Sequence, residues 1–461
     1  MKLPLELAVT ATGAALYDGE IAPATLRVST DTRTIEPGDA FLALRGERYD
    51  GHDFCAEAAS RGAGLLIVER LTARVPGVPA MLVDDTQRAY MALAGAAREL
   101  FTGQVVAITG SAGKTTTKVF LAQLLSARYG DRVLAPPGNE NNEIGVSKLL
   151  LRASNAAHDV IVVEMGARRY GDVATLVEIA RPDLGILTNV GEAHVEIMGS
   201  RERLEETKWG LFSHGARAVL NAGDRVSRQR AVALASDPHW FAATADEAGL
   251  ARYAPLRTLT ALVGDRTLVR RVENRTSSSE VCVRVPGLHN RANAAAAIAG
   301  ALELNVPLER LVTKLERLRL PQGRYDSIAI DGGIRLIYDA YNANASGMTA
   351  ALEAFGQERA SRRIAVLASM AELGDESSAL HESVGEYAAG RIDVLLVQGE
   401  FATDLVRGAL RAGLREERIV SVGSNAEAVR WLREHGQQGD LVLLKGSRKY
   451  KLEEIVEGLQ S

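Results

Sequence analysis

The sequence predicts an α/β protein organised around parallel sheets, and three observations carry that prediction. Short runs rich in Val, Ile and Leu alternate with longer segments whose apolar residues recur at helical spacing, the pattern of buried parallel strands covered by helices. These runs fall into two blocks separated by the Pro/Gly punctuation Leu320-Pro321-Gln322-Gly323-Arg324. The chain has 461 residues, more than the roughly 250–300 at which a single core stops growing.

In the first block, residues 104–109 form an apolar run that ends in a Gly-rich turn, after which Val119, Phe120, Leu124 and Leu125 recur at helical spacing. Residues 160–163, 184–190 and 218–221 are expected to join the same sheet. The alternating stretches 258–263 and 281–285 predict a small mixed sheet appended to it. After residue 322, the runs 364–368, 394–398, 419–422 and 441–444 predict a second parallel sheet. The first hundred residues carry Gly46, Gly51, Gly62 and Gly64 among short apolar runs at 41–44 and 65–68, which reads as a smaller α/β unit. The expected division is therefore 1–100, 101–322 and 323–461.

Charge and composition exclude several classes. Lys and Arg total 54 against 58 Asp and Glu, a net charge of −4, so no basic field is available to hold nucleic acid. The N-terminus lacks a basic region followed by an apolar run, and no segment reaches the ~18 apolar residues that span a bilayer. A cytoplasmic protein without a membrane span is expected. Cys55 and Cys282 stand far apart, without disulfide or zinc spacing, and both are expected to be buried thiols.

The turn after residue 108 carries the first chemistry. In Thr109-Gly110-Ser111-Ala112-Gly113-Lys114-Thr115-Thr116, a glycine-rich strand-to-helix connection lets backbone N–H groups and the helix N-terminus face an anion. Lys114 would reach the outer phosphates of a nucleotide, and the Thr115 hydroxyl is placed for a magnesium ion. The pattern G-x-x-x-x-G-K-[ST] is not met, because Ile108 stands where its first glycine belongs. Read alone, the loop indicates a bound nucleotide, with Thr115 placed for Mg2+, but no reaction.

The shortened loop resembles that of the Mur ligase family and of the related folylpolyglutamate synthetases, which lack a uridine-binding first domain. Further segments extend the resemblance to the Mur ligases over nearly the whole chain. Residues Gly138-Asn139-Glu140-Asn141-Asn142-Glu143-Ile144-Gly145 are similar to a substrate-contacting segment. Glu164-Met165-Gly166-Ala167 is similar to the metal-binding strand end, and Asn189-Val190-Gly191-Glu192-Ala193-His194 to the turn that adds a histidine to the metal site. Lys208 falls where the family carries a carbamylated lysine. The resemblance implies a metal set of Thr115, Glu164, His194 and carbamylated Lys208, with Lys114, His194, Lys208 and Arg324 serving the reaction. Taken singly, Glu164 would be an ordinary carboxylate and His194 an ordinary structural histidine. Carbamylation needs a neutral amine, scarce at the usual lysine pKa of about 10.4, so a tuned environment is expected at Lys208.

Gly287-Leu288-His289-Asn290-Arg291-Ala292-Asn293 resembles the family motif that sets Asn290 near the adenine. Gly323-Arg324 and Asp339-Ala340-Tyr341-Asn342-Ala343-Asn344 resemble the arginine and the loop that close over ATP. The resemblance thus implies an ATP site formed by residues 109–116 with Asn290, Arg324 and Asp339.

At the N-terminus, Ser29-Thr30-Asp31-Thr32-Arg33, Gly46 and Asp50-Gly51-His52-Asp53-Phe54 resemble the first domain of the branch that extends UDP-linked muramoyl peptides. This implies a UDP-substrate site using Ser29, Asp31, Arg33, Gly46, Asn139 and Asn142. Tyr341, Asn342, Asn344, Glu372-Leu373-Gly374, His381 and Lys445-Gly446-Ser447-Arg448 look like the member that adds D-alanyl-D-alanine, with Tyr341, Asn342 and Asn344 near the dipeptide amine. The resemblance implies three domains: a small N-terminal α/β uridine-nucleotide domain, a central P-loop ATPase domain and a C-terminal Rossmann-like domain, acting as a monomer. Ala345, Tyr338, Ser369, Ser147 and the Trp209-Gly210 pair depart from the family pattern. They leave room for a related ligase with another amino substrate. A non-catalytic nucleotide-binding regulator is a third reading, opposed by the retained Lys114, Glu164, His194 and Lys208.

Overall fold

The computed structural model describes residues 1–46, 49–136, 138–191, 198–273 and 275–461. Three helix-covered sheets follow one another along the chain. The first contains, in spatial order, Ala15–Tyr17, Ala80–Leu82, Leu65–Val68, Ala40–Leu42 and Val28–Ser29, parallel except at the edge strand Ala15–Tyr17. Beside it, Leu3–Pro4 pairs antiparallel with Thr25–Leu26.

The second sheet runs parallel through Val133–Leu134, Val160–Glu164, Gln104–Thr109, Leu184–Leu187, Arg217–Asn221, His239–Thr244 and Thr258–Val263. Thr267–Val272 and Arg275–Glu280 then add antiparallel. Thr258–Val263 therefore continues the main sheet instead of starting a separate small one, because its side chains are buried on both faces beside His239–Thr244. Residues 281–285 are not a strand. Val281, Val283 and Val285 alternate because one side of the segment packs on the core. Val281 and Val283 donate backbone N–H groups to the carbonyls of Arg266 and Asp265, short of a regular ladder. The strand expected over 184–190 stops at Leu187, since Thr188 and Asn189 turn their side chains into the phosphate loop. Cys55 is buried as expected, but Cys282 is only half-buried, where its Sγ accepts from Arg284 Nε at 3.4 Å.

The third sheet orders Asp326–Ile330, Ile334–Tyr338, Asp440–Lys445, Arg362–Ala368, Val394–Gln398 and Ile419–Ser421, all parallel except the first pair. Successive side chains on its strands serve opposite faces. Leu367 and Leu443 pack with Phe355 on one side, while Val366 and Leu444 pack with Ile455 on the other. The first two sheets share a core: Leu93, Ala94 and Ala97 of the helix Thr86–Leu100 belong to one apolar cluster with Val105, Leu149, Leu150 and Leu176.

Strand order in the second sheet reverses on either side of Gln104–Thr109, so the C-terminal strand ends open a crevice there, the usual ligand position in such sheets. Among the described residues, no helix is long and apolar enough to cross a membrane.

Candidate active site

The crevice is a cavity of about 450 Å³ lined by the loop after Gln104–Thr109, by Glu164, and by residues of the third sheet's unit, including Arg324, Asp339, Tyr341 and Asn344. The loop's shape depends on two glycines. Gly110 has φ +148° and a Cβ there would lie 2.0 Å from Thr188 Oγ1; Gly113 has φ +82° and its Cβ would lie 2.3 Å from Asn293 Oδ1. Thr188 donates from its hydroxyl to the Ala112 carbonyl at 2.6 Å, and Thr109 to the Met165 carbonyl at 2.7 Å. The loop is thereby pinned to the neighbouring strand ends.

The helix Lys114–Tyr129 begins directly after Gly113. Its first N–H groups have no intrahelical partner by geometry and face the cavity as an anion site. The amides of Ser111 and Ala112 are already engaged with the Asn189 carbonyl at 3.0 Å and the Asn189 side-chain oxygen at 3.0 Å. The amides from Gly113 to Thr116 are consequently the ones placed to face an anion, and those of Ser111 and Ala112 hold the loop to Asn189. Lys114 Nζ donates to the Gly110 carbonyl at 2.8 Å. Burial lowers its pKa; Glu164 opposes that effect and Arg324 reinforces it.

Glu164 ends its strand with only 1% of its surface exposed. One carboxylate oxygen accepts from Asn141 Nδ2 at 2.9 Å. The other lies 3.5 Å from Lys118 Nζ and has no hydrogen-bond partner. A buried carboxylate oxygen left in this way suits a hard cation, and the Thr115 hydroxyl, on the adjacent helix start, is a second oxygen of the same kind. The donor set fits magnesium.

Lys208, on the helix Arg201–Trp209, is 1% exposed and does not line the cavity. Burial, followed by repulsion from Lys114, puts its pKa well below the ordinary lysine value despite Asp172 and Glu164. This is the tuned environment that a neutral, carbamylatable amine requires. His194 lies outside the described residues.

From the third unit, Arg324 reaches across: its guanidinium is 3.5 Å from Thr115 Oγ1 and stacks over the Tyr341 ring at 4.4 Å. Asp339 is paired with Lys445 Nζ at 2.8 Å, and that lysine also donates to the Asp339 carbonyl at 3.1 Å. Asn344 caps the helix Ala345–Gln357, accepting from Gly347 N–H at 2.8 Å, and Asn342 Oδ1 accepts from Ala343 N–H at 2.9 Å. Asn290 is buried and donates to the Pro286 carbonyl at 3.0 Å.

His289 also lines the cavity, and burial pushes it down from 6.5 to about 4, with Asp339 opposing. The unfolded imidazole takes up its proton near 6.5 while the folded one waits until about 4, so the unfolded state binds more protons in that window. Stability should therefore fall as pH drops from 6.5 to about 4, and His289→Gln should flatten that part of a urea-midpoint against pH curve. A variant curve parallel to the native one would show that His289 titrates normally.

Of the residues expected to bind the UDP substrate, only Asn139 lines this cavity. Asn142 caps the helix Glu143–Arg152. Ser29 Oγ lies 3.1 Å from the Asp31 carbonyl, and Asp31 pairs with Arg33 at 2.7 Å. Hydrogen bonds from Arg33, with a smaller pull from Lys148, bring Asp31 down to about 2. Gly46 donates its N–H to the Tyr49 carbonyl at 2.9 Å. Ser29, Asp31 and Arg33 form a separate polar patch on the first unit, and the pull of Lys148 on Asp31 places it near the helix Glu143–Arg152.

Lys118, Asn141 and Asn293 were not singled out from the sequence. Lys118 had a usable signal: it lies four residues after Lys114, on the same helix face.

The profile of the Mur ligase middle domain matches residues 108–301, that of the Mur ligase glutamate ligase domain 323–448, and that of the Mur ligase family catalytic domain 27–94. The chain is 34% identical over 453 residues to the UDP-N-acetylmuramoyl-tripeptide--D-alanyl-D-alanine ligase of Escherichia coli (strain K12), covering 96% of both chains. It is 32% identical over 439 residues to the enzyme of that name from Bacillus subtilis (strain 168), covering 94% of this chain and 92% of the relative. A crystal structure of MurF from Acinetobacter baumannii superposes with a TM-score of 0.86 at 29% identity, covering 100% and 99% of the two chains. MurF ligase from Thermotoga maritima in complex with ADP superposes with a TM-score of 0.79 at 27% identity, covering 94% and 97%. With three family domains in order and relatives matched along nearly their whole length, the chain belongs to the Mur ligase family of ATP-dependent ligases.

Proposed function

We propose that this chain joins D-alanyl-D-alanine to the terminal carboxylate of UDP-N-acetylmuramoyl-tripeptide, consuming ATP, in the cytoplasmic synthesis of peptidoglycan precursor. The observation that carries the reading is the meeting of Lys114, the Glu164 carboxylate and Arg324 around one cavity, with Arg324 supplied by a different unit of the chain. Residues 1–100 hold the uridine nucleotide through Ser29, Asp31, Arg33 and Gly46, with Asn139 and Asn142 on the facing edge. Residues 101–322 hold ATP, and residues 323–461 receive the dipeptide near Tyr341, Asn342 and Asn344. The enzyme acts as a monomer.

The substrate carboxylate attacks the γ-phosphorus of ATP, the bond to the bridging oxygen breaks, and ADP leaves with that oxygen's electrons. The resulting acyl phosphate is attacked by the dipeptide's neutral amine; phosphate departs and the amine loses a proton. Lys114 and Arg324 stabilise charge on the phosphoryl oxygens, and the amides from Gly113 to Thr116 hold the phosphate chain. Thr115, Glu164, His194 and carbamylated Lys208 would hold magnesium, which screens phosphate charge when bound. Arg324 and the loop 339–344 exclude water, which would otherwise hydrolyse the acyl phosphate.

Phosphate release is expected only when ATP, the UDP-linked tripeptide and D-alanyl-D-alanine are all present. Efficient turnover with other amines but not with this dipeptide would favour an accessory ligase instead. That second reading rested on Tyr338, Ala345 and Ser369, and none of the three lines the cavity. Tyr338 donates to Glu453 at 3.3 Å and Ser369 is fully buried.

A further inference from the structure

One wall of the cavity is the turn that follows Arg362–Ala368, which contributes Ala371, Glu372 and Leu373. It is bent sharply, with Glu372 at φ +61°, a conformation costly for a non-glycine residue unless its surroundings hold it. The hold begins at Ser369, whose hydroxyl accepts from Phe401 N–H at 2.9 Å and whose carbonyl accepts from Ser447 N–H at 3.3 Å. At the next residue, Met370 N–H donates to His381 Nε2 at 2.8 Å.

His381 is fully buried on the helix Ser377–Ala389 and stacks on Phe401 with ring centroids 4.7 Å apart. Its Nδ1 lies 2.6 Å from the Ser377 carbonyl. A carbonyl can only accept and a backbone N–H can only donate, so both bonds demand one neutral tautomer, with the proton on Nδ1. Burial, reinforced by Lys449, lowers the pKa against the pull of the Ser377 carbonyl, Asp404 and Glu400. The neutral ring is thus favoured by its surroundings as well as by its two partners.

We propose that His381 is a positioning residue for the amino substrate: by accepting from Met370 N–H it fixes the turn that presents Ala371, Glu372 and Leu373 to the incoming amine. The inference rests on the amide-ligase reading above. The turn stands on the same unit and around the same cavity as Asn344, Ser447 and Arg448. The Glu372 carboxylate has the charge to receive a dipeptide whose amino group, with a pKa of about 8, arrives largely protonated.

The test compares His381→Asn with His381→Gln. The asparagine amide reaches only the position of Nδ1, whereas the glutamine amide reaches that of Nε2 and can still accept from Met370. His381→Asn should raise KM for D-alanyl-D-alanine roughly tenfold, the loss of one buried hydrogen bond, with KM for ATP and for the UDP-linked tripeptide essentially unchanged. His381→Gln should stay within about threefold of native. Equal effects of the two substitutions, or three KM values rising together, would overturn the proposal. Should either variant fail to fold, amide exchange of the native protein decides: D-alanyl-D-alanine should slow exchange at 370–373, and unchanged exchange there counts against it. Native turnover with the dipeptide is measured first, so a missing activity would overturn the ligase reading separately.

Discussion

Lys114→Ala is expected to lower the rate of substrate-dependent phosphate release by about 10³-fold, the scale on which removing a charge stabiliser from a phosphoryl-transfer site acts. The side chain rests on the carbonyl of its own loop, 2.8 Å from Gly110 O, and the loop is held by Thr109, Thr188 and Asn189, which the substitution leaves in place. Fold and melting temperature should therefore change little, and the loss should appear in kcat more than in the affinity for the UDP-linked tripeptide. Undiminished amide formation would remove Lys114 from the reaction. Arg324 alone would then have to balance the phosphoryl charge.

Lys208→Ala should cost about 10²- to 10³-fold in rate, and it should also abolish a chemical signal. The native protein, incubated with 13C-labelled bicarbonate, should show a carbamate carbon that the variant lacks. The reasoning is electrostatic. An ammonium at this fully buried position is penalised by desolvation and repelled by Lys114. Conversion of the neutral amine to a carbamate replaces that repulsion with attraction and supplies an anionic oxygen near Glu164. Retained activity together with an absent carbamate signal would assign Lys208 a packing role only.

Much of the site was legible in the sequence because its parts are local. The phosphate loop announces itself within a few residues, the Glu164 strand end and the Asn290 and Arg324 segments are short motifs that gain meaning from the family resemblance, and the strand runs at 104–109, 160–163 and 394–398 need only buried periodicity. What the sequence concealed depends on distant partners. Lys118 looks like a surface lysine until Glu164 is brought within 3.5 Å of it. The stretch 281–285 looks like a strand because alternate burial and strand pairing leave the same apolar signature, and only the neighbouring backbone tells them apart. Ser111 and Ala112 look equivalent to the rest of the loop until Asn189 occupies their amides.

The way apolar cores are shared between the units also bears on biosynthesis. Buried Leu93, Ala94 and Ala97 find part of their packing only in residues made later, among them Val105, Leu149 and Leu176. The first unit emerging from a ribosome therefore exposes a greasy helix face until the middle sheet forms, and folding of the two is a joint event. The last unit builds both faces of its sheet from its own strands and helices. It can mature as a separate cooperative block once translated. Destabilising substitutions should thus spread between residues 1–100 and the middle sheet, whereas damage beyond residue 323 stays local and spares the nucleotide loop.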